Sequence, residues 1–265
     1  LTHARIKRSF QLILLISAVA TLQFCASQKN ALESKDIAET YRQAMEFYEK
    51  ENYLRAEETF TFILYNDPGG EFADDAQFYL AETYFAKEEF LLAISEYDRL
   101  IRRMKNSPYV EAAFWKKTES YCELSPDFRL EREMTDKALR NLYDFLEIYP
   151  ESKYRAKANA RIIEMREKLA MKLLASAKLY STLREYESSL YYYDSIITDY
   201  PDTQANVMAR LGKADAMVNL ERWDEARQLL NSIAIEGRET LSQKDLLKFK
   251  AMGNKVIEQT TSQGS

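Results

Sequence analysis

The clearest periodicity in the chain lies in the stretch REYESSLYYYDSIITDYPDT, Arg184 to Thr203. Tyr186, Ser189, Tyr193 and Ile196 fall at i, i+3, i+7 and i+10, the spacing that lines one face of an α-helix. Pro201 cannot continue that helix. Asp202 or Thr203 is expected to cap the next one, its oxygen accepting from a backbone N–H that has no partner within the helix. The stretch therefore reads as the second half of a helical hairpin, and variants of it recur along most of the chain.

Small residues give the recurrence its register. Ala44/Ala56, Ala81/Ala93, Ala177/Ser189 and Ala214/Ala226 are each 12 residues apart. A side chain longer than a methyl where two helices cross would hold them apart, so this spacing has a steric cause. Such helix–turn–helix units are the tetratricopeptide pattern. The fold expected is all-α, a right-handed superhelix of about five tetratricopeptide hairpins with a C-terminal capping helix. In the third repeat Thr118 and Ala138 are 20 apart, so eight extra residues lie around Leu124-Ser125-Pro126-Asp127-Phe128-Arg129-Leu130. Pro126 makes them a loop. Residues 152 to about 183 hold no Gly or Pro and are rich in Ala, Lys, Leu, Met and Arg, which predicts one long helix shared between the third and fourth repeats. A last helix from about Ser242 to Glu258 would cap the stack, because a terminal repeat needs a polar outer face.

Composition agrees with this and narrows the chemistry. Six glycines and five prolines in 265 residues are few breakers for so long a chain. The formal charge of −5 offers no basic surface, and no Lys/Arg cluster interleaved with aromatics follows residue 30, so no nucleic-acid partner is expected. His3 is the only histidine, which removes histidine acid–base catalysis and histidine metal sites from the folded body. No carboxylate pair, Gly-rich phosphate loop or Ser-His-Asp arrangement is present. No catalytic residue, metal or cofactor is therefore expected, and the chain is not read as an enzyme.

The N-terminus reads as an address. Arg5, Lys7 and Arg8 precede an uncharged apolar run from Phe10 to Ala20, too short to span a bilayer. Cys25 follows Leu22-Gln23-Phe24, which resembles a lipoprotein processing site with Phe24 where Gly, Ala or Ser is usual. A plain secretory signal or an uncleaved anchor is the alternative. Cleavage would remove three basic residues and no acid, leaving 34 basic against 42 acidic, a charge of −8. Acyl chains on Cys25 would then do the anchoring. The other cysteine, Cys122, reads as a small core residue.

The signal, the repeats, YCELSPDFRLERE in the third and DYPDT closing the fourth together resemble the BamD family, the lipoprotein component of the outer-membrane β-barrel assembly machine. The resemblance covers about residues 30–240. It implies a protein anchored through Cys25 to the periplasmic face of the outer membrane. The partners it implies are a BamA-like barrel protein bound through its POTRA domains, other assembly-complex lipoproteins and unfolded outer-membrane proteins. A different periplasmic repeat adaptor, serving the Tol–Pal system or cell-wall enzymes, is the competing reading, but no heptad segment precedes the repeats here.

In this repeat class one stripe of each first helix lines the concave face. That stripe predicts a peptide groove of Tyr41, Met45 and Tyr48, then Phe78, Glu82 and Phe85, then Trp115, Glu119 and Cys122. An extended, aromatic-ended peptide would suit it. The alternative is that a tightly wound superhelix buries these side chains against its own neighbours. The organisation expected is a signal peptide at 1–24, a lipidated tether at 25–36, repeats one to three at 37–151, the long helix with repeats four, five and cap at 152–258, and a disordered tail at 259–265.

Overall fold

The computed structural model describes residues 36–237, 239 and 241–262. The signal, Cys25 and almost all of the tether lie outside these residues. Eleven α-helices follow one another among the described residues. They are α1 Ile37–Glu49, α2 Tyr53–Asn66, α3 Ala73–Ala86, α4 Phe90–Arg103, α5 Val110–Glu123, α6 Glu133–Ile148, α7 Arg155–Thr182, α8 Tyr186–Asp199, α9 Gln204–Asn219, α10 Trp223–Glu236 and α11 Gln243–Ser262. Each packs on the next within the two compact units of the chain, residues 1–109 and 110–265. None is long and apolar enough to cross a membrane.

The small-residue register sets the packing. Ala44, Ala56, Ala81, Ala93, Ala177, Ser189, Ala214 and Ala226 are all 0% exposed, so each pair lies where its helices touch. Large side chains fill the space beside them. Phe60, Tyr97, Phe145 and Ile196 are fully buried, each stabilising the fold by about 1.5–3 kcal/mol relative to exposure.

Four hairpins turn in the same way, on Glu51, Glu88, Arg184 and Glu221 at φ 57°, 59°, 62° and 58°. The next residue closes a six-residue turn in each: Asn52 N–H to Phe47 O, Glu89 N–H to Tyr84 O, Glu185 N–H to Tyr180 O and Arg222 N–H to Met217 O, at 2.8–3.0 Å. This is the left-handed helix ending that glycine usually supplies. The third hairpin, α5–α6, carries the expected loop instead.

The unit boundary falls between Tyr109 and Val110, not at residue 151 where the long helix suggested it. The cause is a shared core. Trp115, Cys122, Ala138, Leu142 and Phe145 of α5 and α6 are buried together with Ala158, Ile162 and Met165 of α7. The third hairpin is thus bound to the first half of the long helix. The second half of α7, through Ala170, Leu174 and Ala177, packs with Tyr193, Ile196, Ala205 and Ala209 of α8 and α9.

Two local expectations are corrected. The start of α9 is not capped by Asp202 or Thr203. Thr203 Oγ1 donates backwards to Tyr200 O at 2.8 Å, and Asp202 pairs with Arg166 of α7. The Ala205 N–H donates instead to the Glu167 carboxylate of α7, at 3.2 and 3.3 Å. The residues expected to begin a disordered tail at 259 continue α11 to Ser262. Thr260 Oγ1 donates to Val256 O at 2.9 Å and Thr261 Oγ1 to Ile257 O at 2.8 Å, which extends the last turns.

Candidate peptide-binding surface

In the N-terminal unit the residues expected to line a groove come together as one aromatic surface. Tyr41, Met45 and Tyr48 sit on α1, with Phe78, Glu82 and Phe85 on α3, and all six are half-buried. The Tyr41 ring stacks on Phe72 at 4.9 Å, and Tyr48 meets Tyr79 edge-on at 5.5 Å. Phe78 stacks on Tyr109 at 4.6 Å, and Phe85 meets Phe90 edge-on at 5.4 Å. Tyr41, Met45, Tyr48 and Tyr79 pack against the buried Phe60, Ala44 and Ala56. Stacked and edge-on ring pairs each add about 0.5–1.5 kcal/mol beyond area burial, so the rings are held in place before anything binds.

Two carboxylates are built into this surface, and tyrosines hold both. Asp75 Oδ1 accepts from the Tyr109 hydroxyl at 2.6 Å and from the Tyr41 hydroxyl at 3.4 Å. Glu82 accepts from the buried Tyr97 hydroxyl. The proton on Tyr109 is held chiefly by its bond to Asp75, with burial second, and its pKa lies well above the usual tyrosine range. Tyr41 and Tyr79 are raised mainly by burial and then by Asp75, while burial and then Glu82 push Tyr48 up to about 12.

The remaining groove residues sit in the C-terminal unit, and two of them, Trp115 and Cys122, are corrected. Trp115 is 2% exposed, its ring stacked on Tyr154 at 5.3 Å and packed against Phe145, so it belongs to the core and not to a lining. Its face is set by Tyr154 of the segment leading into α7, which the local repeat pattern could not reveal. Cys122 is buried in the same core, and desolvation pushes its thiol up to about 12, which makes it inert. Glu119 is half-buried and pairs with Lys116 at 3.1 Å.

The inserted loop is fixed by α7. Lys168 Nζ donates to Ser125 O at 3.0 Å and to Ser125 Oγ at 3.2 Å. One turn on, Lys172 Nζ donates to Leu130 O at 2.6 Å. Ser125 Oγ also shares a hydrogen with Thr135 Oγ1 at 2.8 Å, both side chains buried. Between these ties Leu130 is 60% exposed and Phe128 half-buried. Among the described residues no group of three or more His, Cys, Asp or Glu is placed to hold a metal ion.

Consecutive helical hairpins with small residues at each crossing, and an aromatic surface on their first helices, define a tetratricopeptide-like protein. More narrowly, the chain belongs to the YfiO family, described as outer membrane lipoprotein, whose family model matches residues 33–229. It is similar to "Outer membrane protein assembly factor BamD" of Rickettsia prowazekii (strain Madrid E), 22% identical over 205 residues, covering 77% of this chain and 82% of that one. It is also similar to the BamD of Neisseria meningitidis serogroup B (strain ATCC BAA-335 / MC58), 24% identical over 214 residues, covering 73% of this chain and 79% of that one. Among solved structures, the tetratricopeptide domain of P58(IPK) covers 87% of this chain and 60% of its own, at 17% identity and a TM-score of 0.43.

Proposed function

We propose that this chain is a non-enzymatic, lipid-anchored scaffold of outer-membrane β-barrel assembly, on the periplasmic face of the outer membrane. Acyl chains on Cys25 would hold it to the membrane. Its C-terminal hairpins would bind the POTRA domains of a BamA-like barrel protein and other lipoproteins of the complex, and the aromatic surface of the N-terminal unit would receive unfolded outer-membrane proteins. The observation that carries this reading is membership of a lipoprotein family across residues 33–229, with relatives named as outer membrane protein assembly factors. The aromatic surface supports the substrate part. Its rings are already ordered by one another, so a bound strand would not have to meet the entropy of fixing them.

Affinity purification of the tagged full chain from detergent-solubilised outer membrane tests the proposal. The expected result is co-purification of a barrel protein with POTRA domains, identified by mass spectrometry. Incorporation of labelled palmitate is expected too, and is abolished by Cys25→Ala. Purification without any such barrel protein sinks the scaffold reading. Unchanged labelling in Cys25→Ala sinks the anchor.

A further inference from the structure

One face of α3 alternates acid and ring. Asp75, Phe78, Glu82 and Phe85 fall at i, i+3, i+7 and i+10, a single stripe of a helix. Tyr41 of α1 meets this stripe at Asp75, and Tyr48 meets the neighbouring Tyr79. The hydrogen bonds that Asp75 receives come from neutral hydroxyls, and no ion pair to it occurs among the described residues. Neutral donors fix a carboxylate in place and leave its full charge, with lone pairs to spare. The carboxylate is thus oriented and half-buried beside stacked rings.

The charge of the surrounding unit points the same way. Residues 36–109 hold 16 acidic and 8 basic residues, a net charge of −8, whereas residues 110–265 hold 25 acidic and 24 basic, a net charge of −1. The excess acid of the folded chain is concentrated in the unit that carries the aromatic face. A field of that sign draws cationic segments toward it and repels acidic ones.

We propose that this face selects an extended polypeptide segment in which arginine or lysine lies beside aromatic residues, the cation meeting Asp75 and Glu82 and the rings meeting Phe78, Phe85 and Tyr48. The dimensions suit such a ligand. From Asp75 to Phe85 the helix rises about 15 Å, the reach of about five extended residues. A guanidinium can donate to a carboxylate while stacking on a neighbouring ring, which neither an aliphatic nor an acidic side chain can do. The inference rests on the reading of this face as the peptide surface and adds to it a charge rule.

The test uses the full chain and two fluorescent synthetic peptides. One alternates phenylalanine with arginine, and the other carries citrulline at every arginine, keeping shape and removing charge. At low salt the arginine peptide is expected to bind about fivefold tighter or more, with the advantage shrinking as sodium chloride is added. Asp75→Asn together with Glu82→Gln is expected to abolish the advantage, with circular dichroism melting verifying the fold. Equal affinities of the wild-type chain for the two peptides overturn the charge rule and leave the aromatic surface standing. An arginine preference that survives in the double variant also overturns it, by moving selection away from these carboxylates. Failure of both peptides to bind overturns both the charge rule and the peptide surface.

Discussion

The Tyr109 hydroxyl donates to Asp75 Oδ1 at 2.6 Å and ties the end of the N-terminal unit to the first turn of α3. Phe78 stacks on the same tyrosine, so ring and hydroxyl work on neighbouring residues of one helix. Tyr109→Phe keeps the stack and deletes the bond. It should lower stability by about 1.5 kcal/mol, the low end of the range for a hydrogen bond to a charged acceptor. Asp75→Ala should cost more, because it leaves both Tyr41 and Tyr109 hydroxyls without this acceptor. Urea denaturation of the two variants checks the order, and a Tyr109→Phe midpoint equal to wild type would refute the contribution.

Alkali should unfold this unit. Burial pushes Tyr48 and Tyr84 up to about 12 and Tyr41 higher still, and the hydrogen bond to Asp75, with burial second, raises Tyr109 likewise. In the unfolded chain these groups titrate near their ordinary value of about 10. Above that pH the folded state keeps protons that the unfolded state has released, so the stability their protonated forms contribute is complete below pH 10 and declines as pH rises toward the folded values. Helical circular dichroism should therefore fall together with the appearance of tyrosinate absorbance. Ionisation of all the tyrosines near pH 10 with the helices intact would contradict this.

The left-handed turns offer a gain. Glu51, Glu88, Arg184 and Glu221 are exposed and hold φ near +60°, where a Cβ crowds the following carbonyl. Glu88→Gly should raise stability by about 0.5–1 kcal/mol, since the relief of strain outweighs the extra freedom of the unfolded glycine. Glu58→Gly, within α2, should lower it by about 1 kcal/mol. Thermal melts distinguish them, and the same sign for both substitutions would show that the turn is not strained.

These turns also mark how far the sequence could be read. The crossing alanines were legible because a steric rule acts between residues 12 apart, and all of them are buried. The inserted loop and the long helix were legible from Pro126 and from the lack of breakers. The turn conformation was hidden, because glutamate and arginine stand where glycine would announce it. Only its recurrence two residues before Tyr53, Phe90, Tyr186 and Trp223 could have signalled it. The Glu167 cap on α9 joins residues 38 apart, and Tyr154 buries Trp115 from a distance of 39 residues in the chain. Local pattern reports which face of a helix is apolar. It does not report which later segment will cover that face, and so Trp115, expected in a lining, lies in the core.

Gly212 shows why one glycine sits inside a helix. A Cβ there would lie 2.4 Å from Cζ of Tyr193, whose ring is 3% exposed in the core of α7, α8 and α9. The Tyr193 hydroxyl is also 3.2 Å from Ser181 Oγ, which limits its retreat. Gly212→Ala gains about 1 kcal/mol in helix propensity and loses about 1–3 kcal/mol in overpacking. The net change should be destabilising, and pairing it with Tyr193→Leu should restore part of the loss. A melting temperature above wild type for Gly212→Ala would reverse the reading.

The two lysines of α7 should govern the inserted loop more than the fold. Lys168 and Lys172 hold the carbonyls of Ser125 and Leu130, and the loop between them exposes Leu130 and Arg129. Replacing both lysines by methionine keeps their length and removes the donors. Each lost bond is partly replaced by water, so the combined cost should be about 1–1.5 kcal/mol, felt first as local opening. Tryptic cleavage after Arg129 should then quicken by about fivefold to tenfold, following the rise in the open population. The unfolding midpoint should move much less, because the core of Trp115, Phe145 and Tyr154 does not include either lysine. Equal cleavage rates for the double variant and wild type would show that the Ser125–Thr135 bond and Pro126 hold the loop without the lysines.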